Sequence, residues 1–168
     1  MPDQLTRRRV RSCASTRMRR PVGPLHVFLR HHAARTQVSA LSGVRLPECF
    51  ARVRAVDLRD AQRQSARLRA EAGSQGCTLF VDIEVLVDHD ARTAMRAVEQ
   101  LRQTSSASGA ALRYAGTPRG LAGYIEDLHT LGIADGVTLL PLRPADNADR
   151  IINDVLPMLG LDIARLSA

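Results

Sequence analysis

The chain has 168 residues, 45% of them hydrophobic but only 3% aromatic, so one domain with an aliphatic core is expected. All 24 basic residues are arginine, and the formal net charge is +7. Three cysteines without a CxxC pair argue against a disulfide scaffold or a zinc finger, and no apolar run reaches a membrane span of ~18 residues. A reducing, cytoplasmic location is therefore expected.

The charge is not evenly spread. Residues 1–56 carry twelve arginines against Asp3 and Glu48, whereas residues 57–168 carry more acids than arginines. The basic excess belongs to one segment, which makes nucleic acid an unexpected partner for the rest.

Residues 1–56 show little periodicity. Arg7-Arg8-Arg9 and Arg19-Arg20 flank a polar stretch, and Pro21, Gly23 and Pro24 break any helix. Leu25–Leu29 is too short and too charged at its end for a secretory or twin-arginine signal. Three readings stand: a phosphate-binding arm without stacking aromatics, an arginine-rich transit peptide, or GC-rich coding sequence never selected as protein. The third ranks first, so residues 1–56 are expected to be disordered or non-native. His31, His32 and Cys49 lack a fourth ligand and a fixed spacing, so no metal is expected.

From Asp57 the pattern sharpens. Asp57 caps a helix with Leu58, Ala61, Ser65, Leu68 and Ala72 near one face, ended by Gly73. Thr78–Val87 alternates, with Leu79, Val81, Ile83, Val85 and Val87 on one face and Phe80, Asp82, Glu84 and Leu86 on the other. Asp82 and Glu84 there read as a carboxylate pair or as polar barrel interior, the latter preferred.

Asp88-His89-Asp90 forms a polar turn before an amphipathic helix through Ala91, Ala94, Met95, Val98 and Leu101. A serine-rich loop over 103–109 leads to a short strand at Leu112–Ala115. Thr117 and Pro118 open a helix with a Leu121, Ile125, Leu128 and Leu131 stripe, stopped by Gly132. Val137–Leu140 is a buried strand ended by Pro141. Asp146 or Asn147 caps a last helix, which Pro157 interrupts and Gly160 closes. Strands alternating with helices imply parallel pairing, and two main strands are too few for an independent sheet.

Gly116-Thr117-Pro118, then a helix, then Asp135-Gly136-Val137-Thr138-Leu139-Leu140-Pro141, then Val155-Leu156-Pro157-Met158-Leu159, resembles the C-terminal end of luciferase-like flavin-dependent monooxygenases, in particular the nitrilotriacetate and alkanesulfonate monooxygenase group. The resemblance covers about residues 57–168. It implies a partial TIM (β/α)8 barrel made of the C-terminal βα units, and reduced FMN or deazaflavin acting with dioxygen on a small organic substrate.

Residues 1–56 show no counterpart of the earlier barrel strands, which implies a truncated form, an inactive remnant, or a subunit completed by another barrel fragment or by self-association. No membrane partner is implied. The resemblance places His89, Pro141 and Arg143 at the barrel mouth as flavin-site candidates, against the blander reading of solvated loops and helix caps. It names no catalytic residue.

Overall fold

A computed structural model describes residues 23–30, 38–40, 49–73, 76–104 and 111–161. Strands β1 (His26–Arg30), β2 (Val38–Ala40) and β3 (Phe50–Val53) precede helix α1 (Leu58–Ala72). Strand β4 (Thr78–Val87), helix α2 (Ala91–Thr104), strand β5 (Leu112–Gly116), helix α3 (Pro118–Thr130) and strand β6 (Gly136–Pro141) follow in alternation. The chain then runs through α4 (Pro144–Arg150), a π-helical turn (Ile151–Val155) and α5 (Leu156–Met158).

These strands form one sheet in the order β2-β1-β6-β4-β3, with β5 also on β4. Every pairing is parallel except β1 with β2. Strand β4 is the spine. Its residues 80–85 pair with β6 on one edge. The other edge is shared, β3 taking 78–81 and β5 taking 83–87.

The sheet differs from the expectations in two places. Residues 26–30 and 50–53 are strands, although their segment reads as non-native. Val27 and Leu29 of β1 and Val53 of β3 are fully buried in the main core. A five-residue strand with charged neighbours has too few residues to show a period, so its sequence could not announce it. His31, His32, Cys13 and the arginines of 1–22 lie outside the described residues.

The second difference concerns the strand order. In a TIM barrel, strands neighbour each other in chain order and all helices lie outside. Here β6 pairs with β4 and β1, not with β5. The step from β4 to β5 and the step back past β4 to β6 run in opposite directions. Right-handed crossovers then put the two connecting helices on opposite faces. Helix α2 packs Ala94 and Ala97 against Leu86 on one face. Helix α3 packs Leu121, Ile125 and Leu128 on the other, with Val81, Ile83, Val85, Val137 and Leu139. The architecture is a largely parallel α/β sheet, with six strands among the described residues.

Local signals hold well. Asp57 accepts from the Asp60 amide at 2.7 Å, and the Thr117 hydroxyl accepts from the Gly120 amide at 3.2 Å. Gly132 and Gly160 adopt positive φ of 66° and 67° where α3 and α5 end. Leu131 is an exception: at 50% exposed it lies past the buried stripe. Ahead of Pro157 the Leu156 amide reaches Ile151, one residue further than an α-helical bond. Proline has no N–H to give and crowds the carbonyl four residues back, so the preceding turn widens.

Candidate functional site

The C-terminal ends of β4 and β6 sit side by side and carry the candidates. The Leu142 amide donates to the Val85 carbonyl at 2.9 Å, and the Asp88 amide donates to Gly116 at 2.9 Å. Thus the ends of β4, β5 and β6 are tied together by backbone. Pro141 lies opposite Val85 and is buried, so it is part of the sheet and presents no surface to a ligand.

His89 stands on the exposed turn after β4. Its Nδ1 is 2.5 Å from Asp88 Oδ1 and its Nε2 is 3.3 Å from Asp90 Oδ2. Both ring nitrogens face carboxylates, so neither can meet a metal or a substrate proton without breaking a contact. The His89 amide, donating to Asp88, holds that carboxyl below its ordinary range; the His89 ring and Arg150 assist. Asp90 is lowered by bonds from the Thr93 side chain and amide, as suits a helix cap.

Arg150, on α4, reaches Asp88 at 3.9 Å. Arg143 is exposed and takes the N-cap position of α4 without a side-chain capping bond. Among the described residues it has no ion-pair partner. The structure therefore gathers Asp88, His89, Asp90 and Arg150, and leaves Arg143 apart from that network.

Neither Asp146 nor Asn147 caps the last helix, because Pro144 starts it earlier. Asn147 is instead buried and bridges to β4: its Oδ1 accepts from the Val87 amide at 2.8 Å and its Nδ2 donates to the Val87 carbonyl at 3.3 Å. That side chain supplies at the strand end the two bonds a further strand would have made. Only the tertiary fold could reveal it.

Asp82 and Glu84 are not a free carboxylate pair. Asp82 is fully buried, with Arg52 bidentate at 2.7 and 2.8 Å and Arg54 at 2.9 Å. Glu84 pairs with its register partner Arg113 at 2.6 Å. Three arginines from β3, the residues after it, and β5 neutralise two acids, which fits a structural ion-pair layer better than acid–base work. Arg52 and Arg54 were hidden from sequence reasoning because their segment reads as unstructured.

The Gly116-Thr117-Pro118 turn is occupied by the protein itself. Tyr114 lies over it, its hydroxyl donating to the Thr117 carbonyl at 3.0 Å and its ring stacked on Tyr124 at 5.9 Å. A Cβ on Gly116 or Gly120 would collide with the Tyr114 side chain. The glycines make room for an internal aromatic ring, not for a phosphate.

At the opposite end of the sheet Gly136 lies between β1 and β4, where a Cβ would strike His26 and Phe80. Phe80 meets His26, Phe28 and Phe50 edge to face at 5.1 to 5.8 Å. A cleft of about 420 Å³ opens elsewhere, between α3 and α5, lined by Arg119, Ala122, Gly123, Glu126 and Met158. Among the described residues no cluster of three or more His, Cys, Asp or Glu side chains could hold a metal ion, and no helix is long and apolar enough to cross a membrane.

No protein-family model matches the chain, and no curated protein does. Solved structures do. EDTA monooxygenase (EmoA) from Chelativorans sp. BNC1 superposes with a TM-score of 0.53 at 17% identity, over 66% of this chain and 39% of that one. Long-chain alkane monooxygenase (LadA) superposes with a TM-score of 0.53 at 16% identity, over 67% of this chain and 37% of that one. The shared property is the fold. This chain spans less than two fifths of either enzyme's length.

Proposed function

We propose that the chain is a luciferase-like monooxygenase piece whose residues 57–168 correspond in sequence to the C-terminal βα units of such an enzyme, although its strands take an open order, and which needs a complementary fragment for flavin-dependent oxygenation of a small organic substrate. The observation that supports this most directly is the run from Gly116-Thr117-Pro118 through β6 to Val155–Leu159, set in a fold that superposes on two monooxygenases.

The residues present do not by themselves fit a flavin. The glycine turn that a phosphate would enter is filled by Tyr114. The strand-end turn presents Asp88 and Asp90 around His89, and these carboxylates offer a flavin phosphate no hydrogen-bond donor. Whether FMN or deazaflavin serves the completed barrel, its phosphate contacts must come from residues other than these. The same fit argument supports the reading that the isolated chain is catalytically inactive.

Absorbance spectroscopy tests this directly. The purified chain, mixed with excess FMN or deazaflavin and desalted, is expected to retain far less than one equivalent. Retention near one equivalent per chain would overturn the proposal that a second fragment is required.

A further inference from the structure

We infer that Cys49 and Cys77 are a peroxide-sensitive thiol pair that closes into an intramolecular disulfide joining the starts of β3 and β4. The register carries the inference. Phe50 pairs with Thr78 at the first position of the two parallel strands, and the Thr78 amide donates to the Cys49 carbonyl at 3.2 Å. One position back, just before the two strands begin, Cys49 and Cys77 stand side by side, close enough for their thiols to interact. Adjacent strands lie ~4.8 Å apart, within the ~4.4–6.8 Å between Cα atoms that a disulfide accepts.

Both thiols are free, Cys49 exposed and Cys77 half-buried beside it. Cys77 Sγ makes a long contact to its neighbouring carbonyl, the Thr78 oxygen, at 3.8 Å. Burial pushes the Cys77 thiol above its ordinary value; the adjacent Cys49 and Asp135 add to this and Arg69 opposes it. Cys77 therefore stays protonated near neutral pH, and the sulfur that meets an oxidant first is the exposed one.

The oxidant is hydrogen peroxide. Cys49 gives up its proton and its sulfur attacks one peroxide oxygen: an S–O bond forms, the O–O bond breaks, and the leaving hydroxide combines with the released proton as water. The Cys77 sulfur then attacks Cys49: the S–S bond forms, the S–OH bond breaks, and a second water leaves with the Cys77 proton. Two thiols are oxidised by two electrons and one peroxide is reduced to two waters. The new bond pins β3 to β4 where the pairing begins, and closes the segment that carries α1.

The test uses the whole reduced chain and dilute hydrogen peroxide, read by thiol titration, intact mass and peptide mapping without reductant. Two of the three thiols should disappear, the mass should fall by two hydrogen atoms, and a Cys49–Cys77 peptide should appear and be reversed by dithiothreitol. In Cys77→Ser, Cys49 should instead accumulate as a sulfenic acid trapped by dimedone. Oxygen addition at Cys49 with Cys77 untouched, a link to Cys13, or a link between chains would overturn the inference. So would disulfide closure in Cys77→Ser as fast as in the parent.

Discussion

At the residue scale the strongest constraint is the fully buried Asp82 carboxylate. Arg52 supplies three of its contacts and Arg54 one. Stripping most donors from a buried charge costs about 3 kcal/mol, reduced here because both arginines are partly exposed. Arg52→Met should therefore destabilise the fold by about 2 kcal/mol. Arg54→Met should cost less than half of that. Urea midpoints at constant slope check both values, and equal effects would contradict the geometry.

Two histidines add a pH dependence. Burial lowers His26 below its ordinary 6.5 against an opposing pull from Asp135. Burial likewise lowers His129, with Asp135 opposing and His26 adding. The Nδ1 atoms of both are buried without a hydrogen-bond partner. A base with a lowered folded value binds fewer protons folded than unfolded, so stability rises with pH there. The melting temperature should be level above about pH 7 and should fall as pH drops through 6.5, the unfolded value. His129→Gln should flatten that fall. A melting temperature that rises on acidification from pH 7 to 5.5 would contradict it.

At the element scale, α3 offers a contrast between glycines of one helix. A Cβ at Gly123 meets nothing, whereas a Cβ at Gly120 meets the Tyr114 hydroxyl. Gly123→Ala should stabilise by up to about 1 kcal/mol, since alanine loses less backbone entropy. Gly120→Ala should destabilise by about 1–3 kcal/mol through overpacking. Tyr114→Phe removes the colliding hydroxyl, so the double variant should recover most of that loss. A thermodynamic cycle measures the coupling, and additivity would show that the ring is not what the glycine accommodates.

At the scale of the whole molecule, β2, β3 and β5 are the outermost strands among the described residues. Strands β3 and β5 share one edge of β4, each pairing only part of it. Phe50, Leu58, Met95 and Met158 remain substantially exposed. Unpaired edges and exposed apolar groups promote association. The chain should therefore sediment as a concentration-dependent mixture, with a melting temperature that rises with concentration. A monodisperse monomer across a hundredfold dilution series would show that this sheet is complete by itself.

Much of the architecture is local and so was legible in the chain. The alternation of Leu79 to Val87, the Asp57 and Thr117 caps and the Gly132 and Gly160 stops depend on nearest neighbours, and the helices and strands from Leu58 onward follow from them. The candidates His89, Pro141 and Arg143 were legible as strand-end residues, but not their fates: one clasped by two carboxylates, one buried, one apart. Strand order, the recruitment of β1 and β3, the Arg52–Asp82–Arg54 cluster and the Asn147 bridge join residues far apart in sequence. No local period records which edge a short strand will find; that is decided by burial and hydrogen bonding once the whole sheet assembles.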